Sequence, residues 1–345
     1  MTPGRYSVAP FGSRRKRRRL AMKVLVTGGA GYIGSHLVDR LCDGGHQVTV
    51  LDDLSTGQPG NIAHRLPEIR FVNGSILDSG LVDREVERAD LVFHLAAAVG
   101  VRHIVEAPLE SILVNTKGTE HVLASCFRYW RRVLVASTSE VYGRTDKLPM
   151  HEDDDRVLGP TTVHRWSYST AKAIDEHLAL AYNARGLPVV IVRYFNSYGP
   201  RLDPKGYGSV VANFLRQALA GEPLTVHGDG KQSRCFTYVD DTVHGTYLAG
   251  FSEKATGQVI NLGSDHEISI LELAELLRAF VGSSSPVVPT SYESYYGPGF
   301  ADTRRRVPDV TRAAEVLGWH ATVSLEDGFA RTYDWWIQTY GALRL

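Results

Sequence analysis

Cysteine is scarce in this sequence. The three residues, Cys42, Cys126 and Cys235, are odd in number and far apart, which excludes a disulfide framework or a zinc knuckle. They read as buried small hydrophobes in a reducing compartment. The 13 histidines form no HExxH or similar pairing, so no metal is expected. No apolar run approaches the roughly 18 to 20 residues that span a bilayer, so the protein is expected to be cytoplasmic, with no membrane partner. Net charge is lacking too, with 38 Lys and Arg against 38 Asp and Glu, but seven of those bases lie between Arg5 and Arg19. Setting the seven aside leaves 31 against 38, about −7 for the body of the chain. Residues 1–22 therefore read as a disordered basic extension with Met22 as the working start. After the basic run only Leu20, Ala21 and Met22 precede Lys23, which is no export signal, and no nucleic-acid partner is expected.

What is present is a rhythm. From Lys23 to about Val192 the runs KVLVT, QVTVL, IRFV, DLVFHLA, RVLVAS and PVVIV alternate with amphipathic stretches. Short β-branched runs of this kind are buried on both faces, which predicts a Rossmann-type α/β fold, a doubly wound parallel sheet over 23–196. Beyond Asn196 the pattern loosens into a Pro/Gly-rich loop, short strands, and helices near 209–220 and in SILELAELLRAF. That predicts a smaller C-terminal α/β substrate lobe over 197–345, with segments near 235–265 able to return to the first lobe.

The first strand runs into TGGAGYIG, where Gly28, Gly31 and Gly34 have GxxGxxG spacing. Residues without a Cβ let backbone N–H groups approach a pyrophosphate, and a following helix N-terminus stabilises its charge. The next strand ends in Asp52 and Asp53, at the distance expected for an acid on a ribose diol. An acid there repels a 2′-phosphate, so the cofactor is expected to be NAD.

STSEVYG follows a buried strand, so Ser137, Thr138, Ser139 and Glu140 emerge at the carboxyl edge of the sheet, where ligands bind. Further on, Tyr168 and Lys172 stand four apart on one helical face. A tyrosine acts as a base near neutrality only if its phenolate is stabilised, and an ammonium beside it together with a cationic nicotinamide ring has that effect.

With TGGAGYIG, HLAA, the Ser/Thr strand end, Tyr168 and Lys172, RYFNSYGPR and RRRVPD, the chain resembles the extended short-chain dehydrogenase/reductases that act on nucleotide sugars, from Lys23 to the C-terminus. The resemblance implies tightly held NAD that oxidises a sugar at C4, chemistry on the ketone, and often return of the hydride. It also implies a homodimer formed through helices near 109–128 and 165–184. STSEVYG, RWSYS, GPRLD, GKQSRCFT and YYGPGFADTRRRVP are most similar to UDP-glucuronate decarboxylases. By that likeness Thr138, Ser139, Glu140, Tyr168, Lys172 and Arg306 fall on catalytic positions, while Asn196, Arg201, Arg234 and Arg306 fall on the substrate. The cofactor set becomes Gly28, Gly31, Tyr32, Ile33, Gly34, Asp52, Asp53, Ser75, Ile76, Leu95, Ala96, Ala97, Asn115, Ser137, Tyr168 and Lys172.

The chemistry is intelligible from the residues. Once C4 is a ketone, a C6 carboxylate is β to it and leaves as CO2, giving an enolate that Arg306 could stabilise. Glu140 is expected either to face the substrate carboxylate or to act as base at C5. Decarboxylation leads; 4-epimerisation needs no such glutamate, and a 5,6- or 4,6-dehydration of a nucleotide sugar or nucleoside would use it as the base. A dinucleotide-sensing binding protein on the same fold is the non-enzyme alternative, and the intact Ser/Thr, Tyr168 and Lys172 set argues against it. The likeness departs at Ser75, where an adenine-contacting acid is usual, and at Ser209 or Val210 and Thr225, where basic substrate residues are expected. Arg201, Arg234, Arg304, Arg305 and Arg306 are the cations available to compensate.

Overall fold

A computed structural model describes residues 21–100, 104, 106–202, 209–291 and 302–341, so residues 1–20 of the basic extension, most of KGYGS and all of YYGPGFA lie outside the described residues. Alternation along the first strand, β1 (Lys23–Thr27), sends Val24 and Val26 to one face of the sheet and Leu25 to the other, all buried. Helices cover both faces, so each strand is apolar on both sides.

The amino-terminal elements follow in order: α1 (Tyr32–Asp43), β2 (Gln47–Asp52), β3 (Arg70–Asn73), α2 (Ser79–Glu87), β4 (Leu91–His94), α3 (Pro108–Tyr129), β5 (Arg132–Thr138), α4 (Ser167–Ala184) and β6 (Val189–Tyr194). The remainder comprises β7 (Ser197–Tyr198), α5 (Val210–Ala220), β8 (Leu224–His227), β9 (Ser233–Cys235), β10 (Thr237–Tyr238), α6 (Val239–Phe251), β11 (Val259–Leu262), β12 (Glu267–Ser269), α7 (Ile270–Val281), β13 (Val287–Thr290), β14 (Arg305–Arg306), α8 (Thr311–Leu317) and α9 (Leu325–Tyr340).

The main sheet has seven strands in the order β11-β6-β5-β4-β1-β2-β3, every neighbouring pair parallel. All six runs read from the sequence are in it. The seventh strand arrives from far along the chain and sets Val259 opposite Ile191. Strand order reverses between β1 and β4, which opens a crevice outside their carboxyl ends.

The remaining strands form small ladders. β8 pairs with β13, and β9 is flanked by antiparallel β12 and parallel β14. Helix α7 starts on a capping box in which Ser269 and Glu272 satisfy each other's backbone N–H groups. Trp319 and Trp336 are buried in the larger apolar core. The Asp241 carboxylate anchors the approach to α9 by accepting from Thr322 N and Val323 N, both at 2.9 Å. Register in the β9 ladder sets Arg306 opposite Arg234.

Candidate active site

The glycine turn is built without room for side chains. A Cβ on Gly28, whose φ is +73°, would stand 2.7 Å from Ala96 N, and one on Gly34 would stand 2.1 Å from Gly28 O. Helix α1 then begins after Gly31 with no side-chain cap and no acid in its first turn. Helices α2, α5, α7 and α9, by contrast, are capped by Asp78, Ser209, Ser269 and Ser324. The free N–H groups of α1 therefore face the crevice, where an anion would satisfy them.

The turn forms one wall of a cavity of about 490 Å³. Gly28, Gly31, Tyr32, Ile33 and Gly34 line it, with Asp52, Asp53, Ser75 and Ile76 from the ends of β2 and β3. Leu95, Ala96 and Ala97 follow β4, and Ser137, Tyr168 and Lys172 close the far side. Asn115 is the exception in the expected cofactor set. It is buried behind the wall, where its amide accepts from Ala98 N at 3.0 Å and donates to Ala98 O at 3.1 Å. It shapes the loop after β4 and does not line the cavity.

The two acids differ. Asp52 is buried and accepts from Ala30 N and Leu54 N, both at 2.9 Å, so it clamps the glycine turn while its carboxylate keeps lone pairs for a ligand. Asp53 is exposed and accepts from Ser55 N at 3.0 Å. Ser75 bonds Leu77 N at 3.3 Å and so holds its own turn.

At the far side, Ser137 Oγ donates to Glu176 Oε1 at 2.5 Å, and Glu176 in turn accepts both prongs of Arg193 at 2.9 and 2.7 Å. Tyr142, the second aromatic hydroxyl of STSEVYG, is buried and donates to Asn261 at 2.8 Å, so it is structural. Lys172 lies one turn beyond Tyr168, but its Nζ donates to Asp175 Oδ2 at 2.7 Å. The protein's own charges do not favour a Tyr168 phenolate. Burial pushes the phenol well above its ordinary range, and Glu140 and Asp175 push it further; Thr138 and Arg165 act the other way. Asp175 thus offsets the Lys172 ammonium at close range.

Glu140 sits between two guanidinium groups. Arg306 Nη1 donates to Oε1 at 2.8 Å, and Arg165 Nη2 forms an ion pair with Oε2 at 2.5 Å. Burial alone would raise this carboxyl, yet the arginines outweigh it and hold it at about 2. A carboxylate so stabilised is a poor base, which corrects the reading of Glu140 as the group that takes the C5 proton. Ser139 is buried beside it, and Thr138 Oγ1 accepts from Glu140 N at 3.2 Å. Arg165 escaped the sequence reading although it stands in RWSYS, three residues before Tyr168. A single arginine on a short helical turn carries no periodic signal.

The other expected substrate residues scatter. Arg201 Nη2 donates to Asp39 Oδ2 at 2.6 Å and so ties its loop to α1, away from Glu140. Arg304 and Arg305 are exposed and paired with Asp229 and Glu267. Asn196 donates to Cys235 O at 3.0 Å and Arg234 pairs with Asp302 at 2.9 Å, the two meeting at β9. Thr225 accepts from Gln217 at 2.9 Å and Ser209 caps α5, so both positions where cations were expected serve local packing.

Glycine turn, ribose acid, and Tyr168 and Lys172 at the carboxyl edge define a dinucleotide-dependent enzyme of the sugar-modifying kind. Residues 24–263 match the NAD dependent epimerase/dehydratase family, and the chain belongs to that family. It is 44% identical to the UDP-N-acetyl-alpha-D-glucosaminuronate decarboxylase of Bacillus cytotoxicus over 313 residues, 91% of this chain and 97% of that protein. It is 36% identical to UDP-glucuronic acid decarboxylase 1 of Xenopus tropicalis, covering 95% of this chain and 74% of that one. Among solved structures, UDP-glucuronic acid 4-epimerase from Bacillus cereus, in complex with UDP-glucuronic acid and NAD, superposes with a TM-score of 0.82 at 32% identity, over 92% of this chain and 100% of that one.

Proposed function

We propose that this NAD-dependent enzyme is a UDP-uronate decarboxylase working by transient oxidation at C4. The observation that carries the reading is the pair of buried arginines, Arg165 and Arg306, flanking the partly buried Glu140 carboxylate, within the electrostatic reach of Tyr168. Two guanidinium groups and one carboxylate leave one positive charge in a site shielded from water, and a substrate carboxylate is the natural complement. The decarboxylase names of the relatives agree with this charge.

The glycine turn, the uncapped end of α1 and Asp52 or Asp53 would hold NAD, which supplies the oxidising power at C4. Tyr168 Oη takes the C4 hydroxyl proton, with Thr138 or Ser139 hydrogen-bonding the sugar oxygen. The C5–C6 bond then breaks, its electron pair passes to the C4 oxygen, CO2 leaves, and the enolate takes a proton at C5. Arg306, held in place by Glu140, opposes the enolate charge. Glu140 works as an ionised spacer between the arginines. Asn196 and Arg234 are assigned to the diphosphate.

A 4-epimerase is the second reading, because the Bacillus cereus 4-epimerase is in complex with UDP-glucuronic acid, which carries the same carboxylate. Mass spectrometry of products from purified protein and NAD, offered UDP-glucuronate and its N-acetylglucosamine counterpart, separates the two. Loss of CO2 supports the decarboxylase, and an isomer of unchanged mass overturns it.

The same proposal includes a cytoplasmic homodimer. Helices α3 and α4 expose Leu109, Ile112 and Ile174 at 69, 36 and 43%, which a partner copy would cover. No helix among the described residues is long and apolar enough to cross a membrane.

A further inference from the structure

Lys172 is locked into a buried polar chain. It donates to Asp175 Oδ2 at 2.7 Å, with the two side chains 3% and 0% exposed. The Thr119 hydroxyl lies beside the Asp175 carboxylate and meets His94 Nε2 at 3.0 Å. His94 Nδ1 meets Thr27 Oγ1 at 2.8 Å, and Thr27 Oγ1 accepts from Ala96 N at 3.3 Å, beside the glycine turn. Burial, with Lys172 adding to it, drives His94 down to about 3, so the imidazole is neutral.

A carboxylate within 3 Å of an ammonium inside a protein has two effects. It fixes the lysine head, and it cancels much of the field that the lysine projects onto its neighbours. Tyr168 is such a neighbour. The groups that face it are Glu140 from the turn after β5, Thr138 from β5 itself, Arg165 from the turn before α4, and Lys172 and Asp175 from its own helix. With Lys172 matched by Asp175, no unpaired ammonium stands at the phenol, and Glu140 and Asp175 both act against its ionisation.

We propose that Asp175 is a positioning residue that holds the Lys172 ammonium and cancels part of its charge, so that Tyr168 stays protonated until the positive charge of oxidised nicotinamide is beside it. Proton abstraction is thereby tied to the oxidised cofactor. This rests on the assignment of Tyr168 as the base.

The test is a tyrosinate absorbance titration of the NAD-bound full chain, wild type against Asp175→Asn and Tyr168→Phe, with NAD affinity measured in parallel. In wild type the lowest-pH tyrosinate transition should vanish in Tyr168→Phe; its persistence would overturn the base assignment itself. In Asp175→Asn that transition should move to lower pH, the ionisation constant rising about tenfold, at NAD concentrations that the measured affinities show to be saturating for both proteins. An unmoved transition, or one displaced to higher pH, overturns the Asp175 role and leaves the base assignment standing. Should Asp175→Asn fold poorly, the melting temperature of Lys172→Met/Asp175→Asn decides whether the pair acts as a unit. Recovery of most of the Asp175→Asn loss supports the proposal, and no recovery overturns it.

Discussion

Arg306 Nη1 and Glu140 Oε1 meet at 2.8 Å although 166 residues separate them in the chain. Arg165 closes the carboxylate from the other side, so a loop residue, a residue before α4 and a residue from a two-residue strand share one buried site. Two consequences concern stability. A carboxyl whose folded value lies below its unfolded one stabilises the fold above the unfolded value, and that contribution disappears as pH falls through the folded value. For Glu140 the window runs from about 4.5 down to about 2. Urea unfolding of wild type should show a loss of about 3 kcal/mol across it from this group, by roughly 1.4 kcal/mol per unit. Glu140→Gln should be less stable than wild type by a similar amount at pH 7 and show a flatter acid limb. An acid limb unchanged in Glu140→Gln would refute the buried clamp.

Gly34→Ala should abolish NAD binding. Its Cβ would stand 2.1 Å from Gly28 O, a backbone atom that cannot step aside without opening the turn. Calorimetric titration should show NAD affinity reduced by at least about tenfold, together with 1–3 kcal/mol of lost stability from overpacking. Tight binding by the variant would show that the turn relaxes.

Tyr168→Phe should reduce turnover by about 10²–10⁴-fold, the range for a positioned general base, while NAD affinity changes little. Product analysis at long incubation measures it. A variant within tenfold of wild type would remove Tyr168 from the proton transfer.

Arg201 and Arg306 should part company. Arg201 is tied to Asp39, so Arg201→Ala should leave KM and kcat within about twofold and cost no more than about 1 kcal/mol. Arg306→Ala breaks a buried pair and should cost about 3–5 kcal/mol, with kcat reduced about a hundredfold or more. Steady-state kinetics on both variants give the comparison, and a large KM effect at Arg201 would return it to the substrate site.

The periodic parts of the chain were legible in advance. Six sheet strands, the glycine turn with its acid, and the Tyr168 and Lys172 pair are local patterns whose spacing is dictated by strand alternation, helix pitch and steric exclusion, and each appears in the fold where its run lies. Tertiary structure decided the charge partners. Glu140 reads either as facing the substrate carboxylate or as a base until Arg165 and Arg306 close on it, and Lys172 reads as a free cation although Asp175 stands three residues away. Arg201 reads as a substrate ligand until Asp39 claims it, and Asn115 as cavity lining until it bonds Ala98. The difference has one physical cause. Local conformation follows from neighbours in sequence, whereas the ionisation and aim of a buried side chain follow from whichever distant charges folding brings within a few ångströms, at a dielectric where those distances decide the sign of the effect.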